Sequence, residues 1–232
     1  MKTHLQREID KLKKKTLYMG AQVEESVRKA VDALVSSDAE LGSEVIEGDP
    51  LLDQLDVEIE EDCLKILALH QPVAIDLRYV IAVLKMNSDL ERIGDLAVNI
   101  AERALYLASH PVDGLRLDFE GMGRLTQRML SQSLDALVNL DADLARQVRL
   151  SDDEVDAMNR EMYALIQDYI KQYPGFVAES VHLLSASRHL ERIADQATNI
   201  AEDVIYTIEG EIVRHQHEDF SDHLPRLSGG IS

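Results

Sequence analysis

The sequence predicts an all-α protein made of two tandem, internally repeated antiparallel three-helix bundles, and three observations carry that prediction. First, a thirteen-residue stretch occurs twice. Leu90-Glu91-Arg92-Ile93-Gly94-Asp95-Leu96-Ala97-Val98-Asn99-Ile100-Ala101-Glu102 returns one hundred residues later as Leu190-Glu191-Arg192-Ile193-Ala194-Asp195-Gln196-Ala197-Thr198-Asn199-Ile200-Ala201-Glu202. A repeat of this length marks two copies of one structural unit. Second, the 232 residues are 45% hydrophobic but only 4% aromatic, with 11 Gly and 5 Pro, a mix that favours helices over strands. Third, apolar residues keep helical spacing over long runs that only a few turn signals interrupt.

The elements follow in order. Leu12, Leu17, Met19, Val23, Val27, Val31 and Leu34 place one amphipathic helix over about residues 5–36. Lys11, Lys13, Lys14 and Lys15 near its start read as a solvated face beside Glu8 and Asp10, with a docking patch for an acidic partner as the alternative. Ser36-Ser37-Asp38 is a stop and restart rich in capping residues. The second helix is expected to falter at Gly48-Asp49-Pro50, with Asp49 as a cap and Pro50 in the first helical position, and then to run to about His70. Gln71-Pro72 turns the chain into a third helix over 74–108, which carries the repeated stretch, and His110-Pro111-Val112-Asp113-Gly114 reads as a linker.

The second half repeats the plan. Asp32-Ala33-Leu34-Val35 returns as Asp135-Ala136-Leu137-Val138, an offset of 103, so this copy is three residues shorter between its second and third helices. Tyr173-Pro174-Gly175 marks that turn, the last helix is expected to reach about Arg214, and the remainder reads as a frayed tail. The expected domains are therefore 1–110, 115–215 and a tail, 216–232.

In the repeated stretch Leu90, Ile93, Ala97, Ile100 and Ala104 form one apolar stripe, and Glu91, Asp95, Asn99 and Glu102 form a second, roughly opposite. The same holds for Leu190, Ile193, Ala197 and Ile200 against Glu191, Asp195, Asn199 and Glu202. The second helix adds a row of Asp49, Asp53, Asp56 and Glu60, matched in the other half by Asp152, Asp156, Asn159 and Tyr163. Stacked carboxylates repel one another by a few tenths of a kcal/mol per i,i+4 pair, and a hard cation relieves this. Oxygen-only donors suit Mg, Ca, Mn or Fe better than zinc. The competing reading is a solvated acidic face, which weighs most on Asp49 and Asp152 at positions where a helix would be capped. Packing the second and third helices side by side is expected to bring Asp49, Asp53, Glu91 and Asp95 to one groove, with Asn99 as an outer donor.

Other features exclude more than they suggest. Acidic residues outnumber basic ones 43 to 24, a net charge of −19 that repels nucleic acid and anionic lipid. Cys63 is alone, so no intramolecular disulfide or thiolate zinc site forms. The charged N-terminus has no signal core and no apolar run approaches a membrane span, so a soluble, cytoplasmic protein is expected. Glu179-Ser180-Val181-His182 matches the Glu-x-x-His of di-iron bundles but lacks a second copy. His215 and His217 read as exposed tail residues, and Gly121-Met122-Gly123 lacks the Lys-Ser/Thr of a phosphate loop.

The runs Pro72-Val73-Ala74-Ile75-Asp76-Leu77-Arg78-Tyr79-Val80, Ser88-Asp89-Leu90-Glu91-Arg92-Ile93-Gly94-Asp95 and Ala201-Glu202-Asp203-Val204-Ile205-Tyr206 resemble the PhoU family of phosphate-specific transport accessory proteins. So do Met19-Gly20 and Val213-Arg214-His215, and the similarity spans about residues 5–216. The resemblance implies a non-enzymatic negative regulator of the phosphate regulon and of phosphate uptake. Its partners would be the ATPase subunit of a high-affinity phosphate ABC transporter, a phosphate-sensing histidine kinase and a second copy of the chain as a homodimer. It would be cytoplasmic, peripheral at the inner membrane through those partners. It also implies metal clusters, of divalent or trivalent Fe, Mn, Mg or Ca type, on Glu/Asp-x-x-x-Asp motifs. Here these are Asp49/Asp53 and Glu91/Asp95, then Asp152/Asp156 and Glu191/Asp195, with Asn99 and Asn199 alongside. A di-metal oxidase or storage bundle, or a metal-free interaction module, are the alternatives.

Overall fold

Capping aspartates and left-handed turns set the helix ends. The computed structural model of the protein describes residues 4–210 and holds α1 (His4–Ser36), α2 (Ala39–His70), α3 (Ala74–Ser109), α4 (Phe119–Asn139), α5 (Ala142–Gln172) and α6 (Val177–Glu209). A short 3₁₀ turn, Pro174–Phe176, precedes α6. Asp38 accepts hydrogen bonds from the Glu40 and Leu41 amides at the start of α2, and Asp141 accepts from Leu144 at the start of α5. The preceding helices end in the same way, with Ser37 (φ 56°) and Leu140 (φ 52°) left-handed. These turns occupy equivalent positions, so the repeat extends to backbone conformation.

Two sequence expectations about helix length are corrected. α2 does not falter at Gly48-Asp49-Pro50 but runs unbroken from Ala39 to His70 with Pro50 inside it. The proline forfeits the amide bond to the residue four back, at roughly 3 kcal/mol or more. Buried Val45 and Leu52 on either side hold the helix through the defect. Asp49 is therefore a helix-interior residue and not a cap, and so is Asp152 within α5. α6 stops at Glu209 rather than near Arg214: Gly210 turns left-handed (φ 75°) and its amide bonds the Tyr206 carbonyl at 2.9 Å. His215, His217 and the tail lie outside the described residues.

α1–α3 and α4–α6 form the two three-helix bundles, and the bundles share one core. α3 packs on α6 about as extensively as on α2, α1 also meets α4, and α2 and α5 lie on the outer flanks. Leu90, Ile93, Ala97, Ile100 and Ala104 are buried, as are Leu190, Ile193, Ala197 and Ile200, so the apolar stripes face inward as expected.

The halves pair by approximate two-fold symmetry. Lys85 of α3 meets Asp203 of α6 at 3.2 Å, while Arg103 of α3 donates to Ser185 of α6 at 3.3 Å. Exchanging equivalent positions (85 with 185, 103 with 203) maps one contact onto the other. At the α1–α4 crossing a Cβ on Gly20 would lie 2.8 Å from Leu134, and one on Gly123 would lie 2.6 Å from Val31. Gly20 and Gly123 are equivalent, as are Val31 and Leu134, so each helix receives a side chain of the other where it has none itself.

Candidate metal grooves

The first groove lies between α2 and α3. Asp49 and Asp53 are one turn apart on α2, Glu91 and Asp95 one turn apart on α3, and their mutual repulsion shows in the protonation of Glu91 and Asp49. The Glu91 carboxyl is pushed up first by partial burial, then by Asp95, Asp56, Asp53 and Asp49. Asp49 is pushed up by burial and then by Asp53 and Asp95. The four acids that the sequence assigned to one groove thus face one another. Asn99 turns its amide nitrogen back to the Asp95 carbonyl at 2.7 Å, which leaves its side-chain oxygen as the free donor. Glu102 pairs instead with Arg103 at 3.5 Å.

Asp56 behaves differently from the rest of its row. Its carboxylate and its own carbonyl both accept from the buried Asn87 amide, at 2.6 and 2.8 Å. In the second half the equivalent pair is Asn159 and Ser187, where the Ser187 hydroxyl donates to Asn159 at 2.6 Å. The third position of the α2 row is thus a bridge to α3, conserved as a contact between the halves while its charge is not. No spacing in the sequence reveals that bridge, because its partner lies 31 residues away on another helix.

The second groove lies between α5 and α6 and is more buried and more cationic. The Asp152 carboxyl is pushed up to about 6 by burial, then by Asp195 and Asp156, with the Thr198 hydroxyl offsetting part of the rise. Asp195 is raised by burial and by Asp156, against the opposing pull of Arg192. Glu191 is raised by burial, Asp195 and Asp156, against Arg188 and Arg192. Arg160 also leans on Asp156 at 3.3 Å. Asn199 is half-buried beside this row, and Glu202 is drawn aside to Arg149 at 3.5 Å.

The donors in both grooves are oxygen atoms on one-turn-spaced side chains of adjacent helices, a set whose chemistry fits hard cations. Among the described residues no three His, Cys, Asp or Glu side chains already close on one point as a coordination shell. Asp53 and Asp95 are exposed. The Glu179–His182 pair belongs to neither groove. His182 stacks on Tyr106 of α3 with ring centroids 3.8 Å apart. Cys63 is buried, and burial pushes its thiol up to about 12.

Comparison with known proteins agrees with this architecture. The family model described as the PhoU domain matches twice, at residues 16–104 and 119–204. The phosphate-specific transport system accessory protein PhoU homolog of Aquifex aeolicus (strain VF5) is 40% identical, over 91% of this chain and 96% of its own. The PhoU of Serratia marcescens is 35% identical over 94% of this chain and 89% of its own. The crystal structure of PhoU from Pseudomonas aeruginosa superposes with a TM-score of 0.87 at 37% identity, covering 90% of this chain and 100% of that one. With two copies of the domain on two equivalent bundles, and relatives of this similarity over nearly their full length, the chain belongs to the PhoU family.

Proposed function

We propose that this protein is a non-enzymatic negative regulator of phosphate uptake and of the phosphate regulon. It acts as an adaptor between the cytoplasmic ATPase subunit of a phosphate ABC transporter and a phosphate-sensing histidine kinase. The relatives' names as phosphate transport accessory proteins support the transport role. The observation that supports an adaptor is the architecture itself, in which two equivalent bundles share one apolar core and present separate outer faces. No helix among the described residues is long and apolar enough to cross a membrane, so a role at a transporter would be exercised through contacts.

Metal ions belong to the same proposal. Asp49, Asp53, Glu91 and Asp95, with Asn99 outside them, would hold hard cations in the first groove; Asp152, Asp156, Glu191, Asp195 and Asn199 would do so in the second. Bound cations would cancel the repulsion that, with burial, raises Asp49, Glu91, Asp152, Glu191 and Asp195 and tie each flanking helix to its α3 or α6 neighbour. The second groove is expected to bind more weakly, because Arg160, Arg188 and Arg192 already supply part of that compensation. A di-metal oxidase reading is disfavoured because these acids line grooves between helices while the shared core is apolar.

Deleting the protein should leave phosphate-starvation genes active in high phosphate, and unchanged repression would sink the regulatory reading. The metal reading has its own test, metal content after mild dialysis. The Asp95→Ala, Asp195→Ala double variant should retain the fold and lose metal relative to wild type, and equal content would leave the grooves as solvated acid.

A further inference from the structure

The linker between the two halves builds a cavity of about 360 Å³ at one end of the molecule. Leu34 and Val35 of α1, Leu107 of α3, Val112 and Leu115 of the linker and Leu183 of α6 line it. Its size falls in the range of pockets that hold ligands, roughly 300–1,000 Å³. Leu34 and Leu107 belong to the core yet stay 8% and 9% exposed, while Val27 and Ile100, two turns deeper on the same helices, are fully buried. The core therefore opens onto this cavity. The walls are fixed. The His110 amide bonds the Leu107 carbonyl at 3.1 Å, the Tyr169 hydroxyl of α5 donates to the Asp113 carbonyl at 3.0 Å, and Asp118 accepts from the Gly121 amide at 2.8 Å. The linker is thus held at both ends and in the middle, and Val112 and Leu117 pack on the shared core.

The charge of the lining has one sign. Its charged residues are Asp118 and Glu120. Two other grooves of the molecule carry both signs. The one between α1 and α2 mixes Lys11 and Lys65 with Glu8 and Asp62, and the one between α1 and α4 sets Arg28, Arg124 and Arg128 against Glu24 and Glu25. The end of the molecule around the cavity agrees with its lining. Residues 32–40, 107–122 and 168–184 hold eight Asp or Glu against two bases, Arg116 and Lys171. Arg28 and Arg124 reach Asp32 and Glu120 from further along α1 and α4, which brings the bases to four and leaves the acids at twice that number.

We propose that this cavity is a docking site for a regulatory protein partner, and that the partner is a basic segment which inserts one or two large apolar side chains and carries Lys or Arg beside them. The proposal rests on the adaptor reading above. Apolar anchors in a formed pocket supply most of the binding energy at such an interface, and fixed walls spare the cost of ordering the site. The acidic rim steers a basic segment in and rejects an acidic one. Because one linker joins the halves, the cavity also breaks their two-fold equivalence and gives the protein an end that a single partner can distinguish.

The test uses three fluorescein-labelled peptides on one scaffold. One has Trp and Leu flanked by Lys and Arg, one has the same Trp and Leu flanked by Glu, and one is basic with Ala in place of Trp and Leu. Fluorescence anisotropy should show wild type binding the first alone, more weakly as salt rises. Leu115→Trp, which fills the cavity from the linker, and Glu120→Lys, which reverses the rim, should each weaken that binding at least tenfold with an unchanged melting curve. Leu150→Trp, on a site of α5 that is 56% exposed, should not. In cells, the Leu115→Trp, Glu120→Lys double variant at wild-type abundance should leave phosphate-starvation genes active in high phosphate. The proposal is overturned by no binding of the first peptide, by equal binding of either control peptide, by unchanged binding in Leu115→Trp, or by full repression in cells carrying the double variant. Failure of the adaptor reading is distinguishable from these: the deletion strain would then repress as wild type does, while the peptide preferences would stay as stated.

Discussion

At the scale of single residues, the mismatches between the two copies are as informative as the matches. Gly94 is replaced by Ala194 in the second half, and a Cβ on Gly94 would lie 2.8 Å from Leu52. The residue equivalent to Leu52 is Val155, buried like it. One copy thus uses Leu with Gly and the other Val with Ala, a trade of volume across the helix contact. Gly94→Ala gains about 1 kcal/mol of helix propensity but meets an overpacking cost of about 1–3 kcal/mol, and Leu52→Val alone costs about 0.5–1.5 kcal/mol by analogy with Ile→Val. The double variant should be about 1 kcal/mol more stable than the sum of the singles in urea melts, and strict additivity would refute the trade. The acids offer a second residue-scale prediction. In metal-free protein folded Asp152 releases its proton at about 6, whereas the unfolded group does so near the ordinary 3.8. Its destabilisation is therefore absent below pH 3.8 and fully present above pH 6. Asp152→Asn should raise the melting temperature at pH 7.5 in chelator and lose that advantage towards pH 4. His189, held down to about 4 by burial and by Arg103, Arg192 and Arg188, acts in the opposite sense over an overlapping range. The difference between variant and wild type isolates the carboxyl.

At the scale of elements, α2 shows burial overriding a local breaker. Gly48-Asp49-Pro50 carries every sign of a helix start, and an isolated peptide of this sequence would be expected to break there. Val45, Leu52, Leu55 and Ile59 are all buried on one side, and a break would take that line of side chains out of register with α3. Pro50 is exposed, so replacing it should relieve the missing hydrogen bond without disturbing packing. Pro50→Ala is expected to stabilise the protein by about 1–3 kcal/mol, less than the full interior-proline cost because the helix has already adjusted around it. No change in the urea midpoint would show that Pro50 makes a compensating contribution. The same element shows the limit of angular arithmetic. Asp56 falls in the acidic row by spacing, yet Asn87 takes it up, because a side chain in the groove wall bonds to whatever the neighbouring helix offers.

At the scale of the whole molecule, the two halves are copies without being independent. α1 and α3 bury one side on their own bundle and another on α4 and α6. Cutting the chain in the linker would expose the glycine-to-leucine and glycine-to-valine contacts at the α1–α4 crossing and strand Asp203, only 5% exposed in its side chain, without Lys85. A fragment of residues 1–110 is therefore expected to retain helical circular dichroism but to unfold in urea without a sharp transition. Mixing it with residues 111–232 should restore the transition. Cooperative unfolding of the first fragment alone would show that the shared core is dispensable.

Much of this was legible in the residues. The duplicated stretch, the apolar stripes and the capping aspartates determined helix number, inward faces and most helix ends, because those depend on local periodicity and on groups within a turn of one another. The facing of Glu91 and Asp95 towards Asp49 and Asp53 was also expected, since each pair is one turn apart and consecutive antiparallel helices pack side by side. The tertiary structure decided the rest. It carried α2 through Pro50, ended α6 at Gly210, turned Asp56 to Asn87 and Glu202 to Arg149, and stacked His4 at the start of α1 on His70 beside the α2–α3 turn. Apart from the glycine cap that ends α6, each depends on a partner many residues away, and the free energy of such a contact is set by burial and geometry that no local spacing encodes.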